Sequence, residues 1–265
     1  MNILISNDDG VRAQGIKFLN EELMTSFKTT VVAPDRERSS CGHGITLGEP
    51  IRLNKLKDNI YECTGFPADC ILVSIGKFFK DNKPDVVVSG INHGANLGQD
   101  RFYSGTMAAA REACFRGVPS IAVSLVTKAI KDLEHFDLAA KAVKVFLQND
   151  LHKLIPPMCL VNINVPNVPL EELSGVKVCF PGYQNYSEEI IERVDARGRN
   201  YFWVGGTYKG HMPITGSDCD AVDSGYIAID LQNLSGNNVE FEEQFALFSK
   251  KVNNIGWKSN LGSLY

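Results

Sequence analysis

ILISNDDG, residues 3–10, is the stretch from which the reading of the whole chain proceeds. Its first three residues are an apolar run, which after Ser6 gives way abruptly to an amide, two adjacent carboxylates and a glycine. A short apolar run bounded by turn formers reads as a buried β-strand. Comparable runs recur downstream: TTVVA at 29–33, stopped by Pro34, then DVVVSG at 85–90, PSIAVSL at 119–125 and CLVNINVP at 159–166. Stretches of helical period lie between them. Residues 15–26 place Ile16, Leu19 and Leu23 on one face, and residues 67–79 open with a proline suited to a first helical turn. Residues 104–117 close at Gly117, and 138–147 are amphipathic. Strands that are apolar throughout, separated by helices, imply a parallel sheet covered on both faces. The expected class is α/β, a doubly wound parallel sheet.

The pattern changes after about residue 180. Residues 187–206 read as two strands around a polar turn at Asp195–Asn200, and their length and Tyr201, Phe202 and Trp203 suggest an arm that packs against another surface, another subunit being one candidate. SGYIAIDL at 224–231 is one more strand. Phe241, Phe245, Phe248, Val252 and Ile255 recur at intervals of four and three, the seam of a helix. With no linker dividing the chain, the expectation is a single domain. It comprises a core at 1–180, a hairpin arm at 181–215 and a C-terminal strand and helix extension at 216–265.

Bulk composition narrows the function classes. The 265 residues are 44% hydrophobic and 22% charged, with a net charge of −4. A mildly acidic chain is poorly suited to gripping long nucleic acid, which demands a basic face, but a small phosphate-bearing substrate is compatible with it. The seven cysteines are scattered and form no CxxC pair, which disfavours a zinc knuckle or a thioredoxin-like site and fits a reducing compartment. Cys70 and Cys114 sit among apolar neighbours, as small buried hydrophobes do. No apolar segment approaches spanning length and no signal-like stretch precedes the first strand. A cytoplasmic protein without membrane association is expected.

In an open parallel sheet, ligands bind beyond the carboxyl ends of the strands. The first strand ends in Asn7-Asp8-Asp9-Gly10. The second runs into APDRERSS, with Ser39, Ser40, Arg36 and Arg38, and DVVVSG runs into INHGANLG, with Asn92 and Asn96. Three strand ends therefore carry hard oxygen donors, the chemistry that holds Mg²⁺ or Mn²⁺. A cation between Asp8 and Asp9 would turn their repulsion into chelation. An isolated Asp-Asp-Gly is more often a polar turn; convergence with the other two loops favours the metal. Ser104 is placed to cap the helix at 104–117, leaving amides at Gly105, Thr106 and Met107 as an anion site. His43 and His93 lie in the same loops and could act as acid or base, but such residues are more often polar surface groups; Arg36 and Arg38 could contact a substrate phosphate, but read more readily as a solvated charge run. Neither GxGxxG nor a P-loop occurs.

NILISNDDG, VVAPDRERSSCGHGITL, TGFPADC, DVVVSGINHGANLG and YSGTMAAAREA, in that order and spacing, closely resemble the SurE family of stationary-phase survival proteins, metal-dependent 5′/3′-nucleotidases. The resemblance is dense over residues 1–125 and weaker through DARGRNYFWVGG and TGSDCDAVDSGYIAI. It implies a Rossmann-like core, one divalent cation per subunit held by Asp8, Asp9, Ser39 and Asn92, and substrate phosphate near Asn96, Ser104, Gly105 and Thr106. It also implies hydrolysis of nucleoside monophosphates and a homodimer or homotetramer built through the hairpin and C-terminal exchange. AIDLQNL at 228–234 departs from the family pattern by lacking a proline in the last strand.

The expected chemistry is metal-assisted phosphomonoester hydrolysis. Asp8, Asp9 and Asn96 are the candidate catalytic groups, with one aspartate available to receive the proton of the attacking water. An aspartyl-phosphate phosphatase is the rival enzyme, disfavoured because its carboxylates stand two residues apart rather than adjacent. A non-catalytic nucleotide sensor is the rival from another class, and the doubled carboxylate weighs against it.

Overall fold

A computed structural model of the protein describes residues 1–127, 134–235 and 241–262. The expected extension at 216–265 thus includes positions, 236–240 and 263–265, that lie outside the described residues. The chain opens with β1 (Asn2–Ser6), α1 (Gln14–Leu23) and β2 (Lys28–Pro34), then an edge hairpin of β3 (Leu53–Lys57) and β4 (Ile60–Cys63). Next come α2 (Pro67–Phe78), β5 (Val86–His93), a 3-10 turn at Gly98–Phe102, α3 (Gly105–Phe115), β6 (Ser120–Val126), α4 (Phe136–Gln148) and β7 (Cys159–Pro166). The second half supplies β8 (Gly175–Cys179), four arm strands and the C-terminal elements. The arm strands are β9 (Gln184–Tyr186), β10 (Glu189–Val194), β11 (Asn200–Gly205) and β12 (Tyr208–His211). Then follow α5 (Asp218–Asp223), β13 (Tyr226–Asn233), α6 (Phe241–Asn253) and α7 (Trp257–Gly262).

Nine strands form one sheet in the order β3-β4-β2-β1-β5-β6-β7-β13-β8. From β4 to β7 every neighbour is parallel, as the apolar runs imply. The sheet as a whole is mixed: β3 runs antiparallel to β4, and β13 antiparallel to β7, with β8 parallel to β13. Strands at 53–63 and 175–179 escape the sequence reading because they lack its signature. β3 carries Asn54, Lys55 and Lys57 and is largely exposed, which suits an edge that must not pair with another chain.

Alternation along β1 shows why its three central residues are all apolar. Ile3 and Ile5 pack with Ile16, Leu19 and Leu23 of α1, while Leu4 packs on the other face with Ile71 of α2 and Ala109 of α3. The sheet is covered on both sides, and the strand ends are left as its accessible chemistry. The helix seam near the C-terminus is present: Phe248 and Val252 are buried, and the rings of Phe146 and Phe248 meet at a tilt, 6.2 Å between centroids. β10 and β11 pair antiparallel from Glu189–Gly205 to Val194–Asn200, with every residue exposed. All seven cysteines are free, six of them buried. No described helix is long and apolar enough to cross a membrane.

Candidate active site

The turn leaving β1 is closed by its own side chain. Asn7, fully buried, donates its amide to the Gly10 carbonyl at 3.0 Å, and Gly10 adopts φ +97°, open to glycine and strained for other residues. Two backbone hydrogen bonds tie this turn to the loop after β2: Arg38 N–H to the Asp8 carbonyl at 2.8 Å and Val11 N–H to the Pro34 carbonyl at 2.9 Å. The loop carrying Ser39 is thereby laid against the carboxylates.

Each aspartate is gripped from a different element. The Thr106 hydroxyl, at the start of α3, donates to Asp8 Oδ1. The backbone N–H of His93, the residue after Asn92, donates to Asp9 Oδ2 at 3.1 Å. Asp8 is only 4% exposed, and burial pushes its carboxyl up to about 6, with the Asp9 charge adding to the effect and Thr106 opposing it. Burial also raises Asp9, against the pull of the His93 N–H and ring. Space around Asp8 is exhausted: a Cβ added at Gly105 would lie 2.6 Å from Asp8 Cβ and 2.9 Å from its Oδ2.

A cavity of about 440 Å³ opens over this turn, and Asp8, Ser39, Asn92, Asn96 and Ser104 all line it. Asp9 opens into an adjoining cavity of about 380 Å³ whose walls also include Ser39 and His93. The structure brings together Asp8, Asp9, Ser39 and Asn92, from the ends of β1, β2 and β5. The Ser39 hydroxyl donates to Glu37 Oε1 at 2.7 Å, and Asn92 donates Nδ2 to the Gly94 carbonyl at 2.9 Å, which leaves its Oδ1 as an acceptor. Among the described residues no group of three His, Cys, Asp or Glu could hold a metal ion. The available set is two carboxylates, a hydroxyl and an amide oxygen. Those are hard donors, and a buried carboxylate crowded by a second one is a setting that a divalent cation relieves. The residues fit such an ion.

Asn96 is held from all sides. Its backbone N–H donates to Asn164 Oδ1 at 2.9 Å, its carbonyl accepts from Asn162 and Asn164, and one hydrogen of its amide goes to Ser124 Oγ at 2.8 Å. One amide hydrogen remains for a ligand. Ser104 caps α3, its hydroxyl accepting from Met107 N–H at 3.1 Å. Gly105 and Thr106 have their direct contacts with Asp8 rather than on the cavity wall.

Other sequence candidates have different partners. His43 faces Glu112 at 3.0 Å and stacks on Phe115, away from the cavity. His93 lines both cavities, its Nε2 2.9 Å from Glu134. Arg38 is not solvated: its guanidinium donates to the Thr64 carbonyl at 2.6 Å and lies over Phe66, so it fastens the loop. Arg36 is exposed.

Several contributors escaped sequence reasoning. Asn162 and Asn164 sit two apart in an otherwise apolar strand, hence on one face; that polar interruption was the available signal. Asp100, Tyr103 and Tyr186 also line the larger cavity. Tyr186 comes from the arm, 86 residues away from Asp100 in sequence, and nothing local announces it.

A family model described as Survival protein SurE matches residues 3–188. The 5′-nucleotidase SurE of Vibrio vulnificus (strain CMCP6) is 43% identical over 229 residues, covering 86% of this chain and 88% of the relative. That of Geotalea daltonii is 42% identical over 238 residues, covering 90% of this chain and 95% of the relative. The crystal structure of the SurE protein from Aquifex aeolicus is similar with a TM-score of 0.79 at 34% identity, over 92% of this chain and all of that one.

Proposed function

The chain belongs to the SurE family, and from that premise we propose that it is a divalent-metal-dependent nucleotidase releasing phosphate from nucleoside monophosphates. The observation that carries this reading is the convergence of Asp8, Ser39, Asn92, Asn96 and Ser104 on one cavity beyond the carboxyl ends of the sheet, with Asp9 beside it. Asp8, Asp9, Ser39 and Asn92 hold one Mg²⁺ or Mn²⁺ per subunit. When bound, such an ion polarises a phosphoryl oxygen and makes water a better nucleophile at neutral pH.

The remaining work falls to the chain itself. The free amide hydrogen of Asn96 and the Ser104 hydroxyl meet the phosphoryl oxygens, and the positive end of α3 favours their charge. Thr106 and Gly105 keep Asp8 in place, so their part is support. An aspartate of the pair takes the proton from the attacking water.

The test is phosphate release from a panel of nucleoside monophosphates, with and without Mg²⁺ or Mn²⁺, on the native chain and on Asp8→Asn. Turnover is expected only with metal. Asp8→Asn should lose well over the roughly ten- to hundred-fold typical of residues that merely support a ligand. Equal turnover in chelator would refute the metal, and tight nucleotide binding without phosphate release would favour the sensor. A phosphoenzyme trapped by rapid quench would favour the aspartyl-phosphate route.

A further inference from the structure

The cavity has wall residues that the proposed metal and phosphate contacts do not use. Asp100 and Tyr103 of the body and Tyr186 of the arm root also line it, and both tyrosines are exposed, by 67% and 42%. Tyr186 is built in with some care. Its hydroxyl donates to Asp100 Oδ2, and its ring meets Tyr208 edge-on at 5.8 Å between centroids. The arm root is clamped to the same 3-10 turn by a reciprocal pair: Gln99 Nε2 to the Gln184 carbonyl at 2.6 Å and Gln184 N–H to Gln99 Oε1 at 2.8 Å. Gln184 Nε2 also reaches Asp100 Oδ2 at 2.5 Å. Burial and the Asp100 carboxylate raise the Tyr186 phenol, so the ring stays neutral and its hydroxyl stays a donor.

We infer that Tyr103 and Tyr186 form the nucleoside end of the site, stacking the base while the phosphate lies at Asp8. This deepens the nucleotidase reading and rests on it. A phosphate ester alone needs no aromatic rim. A planar base does, because every base presents a π-face that an aromatic ring can cover without reading its edge. The volume, about 440 Å³, falls within the range of small-molecule sites. Stacking of this kind predicts broad tolerance among bases, with the larger purine ring favoured over pyrimidines.

The experiment compares AMP with ribose 5-phosphate, which keeps sugar and phosphate but has no base. KM and kcat are measured on the native enzyme and on Tyr186→Leu, Tyr103→Leu and Tyr186→Phe, with metal present. Native enzyme should favour AMP in kcat/KM by about ten-fold or more, the span expected of one stacked base. Each leucine variant should raise the KM for AMP by a similar factor, with kcat and the ribose 5-phosphate reaction moving less than about two-fold. Tyr186→Phe, which keeps the ring, should stay within about three-fold of native. Equal loss on both substrates would make the tyrosines structural and overturn the assignment. So would a phenylalanine variant as impaired as leucine, or a native enzyme indifferent to the base. A native enzyme that cleaves neither compound instead removes the nucleotidase reading beneath it.

Discussion

Asp8 sits where an ionised carboxylate is costly, and the cost has a sign that can be measured. Its folded value, about 6, lies above the ordinary 3.8. A carboxyl raised on folding leaves stability intact below its unfolded value and removes it as pH climbs through the folded one. In metal-free protein the ionised side chain should therefore cost about 3 kcal/mol above pH 6, from the roughly two-unit shift. Asp8→Asn still offers an oxygen to Thr106. Denaturant melts in chelator should show it more stable than native at pH 8, with the difference closing between about pH 6 and pH 4. A gap that stays constant with pH would mean that Asp8 is not the strained group. Gly105→Ala probes the same crowding sterically. The added methyl would meet Asp8 at 2.6 Å, and a displacement approaching 1 Å at a reacting group costs on the order of 100-fold in rate. Phosphate-release assays should show that loss in kcat/KM; a fully active variant would mean that Asp8 tolerates movement. Both aspartates were legible in the sequence because the turn follows a strand with no ambiguity. The role of Thr106 was not, since which element presses on Asp8 is a fact of packing rather than of spacing.

At the scale of elements, the parallel strands and flanking helices were readable because a doubly covered sheet leaves a continuous apolar signature. The edges and the arm base were not readable, because β3, β8, β9 and β12 each have polar or half-buried surroundings, and β8, β9 and β12 draw their pairing from distant segments. Asp218 shows how such segments are fastened. Fully buried, its carboxylate accepts from the backbone N–H of Gly98 at 2.9 Å, of Gly182 at 2.6 Å and of Cys219 at 2.8 Å. One side chain thus joins the turn before Tyr103, the approach to the arm and the start of α5. Removing it strands three backbone donors, two of them buried. Asp218→Ala should lose on the order of 3 to 5 kcal/mol in equilibrium unfolding. Asp218→Asn retains an oxygen for part of the set, so its loss should be intermediate. An alanine variant within 1 kcal/mol of native, roughly one ordinary hydrogen bond, would show that water replaces the carboxylate and that the knot is loose.

The whole molecule raises the question of what covers the arm. An isolated two-stranded hairpin is marginal in water, and this one carries exposed large apolar side chains on both faces. The register puts Ile191 opposite Trp203 on one face and Ile190 opposite Val204 on the other, with Phe202 and Val194 beside the second pair. Trp203 is 65% and Val204 84% exposed in the single chain. Apolar surface on both sides of a projecting ribbon is the pattern of an element inserted between surfaces rather than laid on one. We propose that those surfaces belong to further copies of the chain, the native state being a homodimer or homotetramer. Trp203→Lys and Val204→Lys place a charge on each face without touching the root. Sedimentation velocity should show the native mass falling to a smaller species in the double variant, with the far-ultraviolet spectrum unchanged. Because β9 carries Tyr186 to the cavity, a loosened arm should also raise the KM for nucleoside monophosphates more than it lowers kcat. A native protein that sediments as a monomer at micromolar concentration would remove both expectations, since the exposed ribbon would then be stable without a partner.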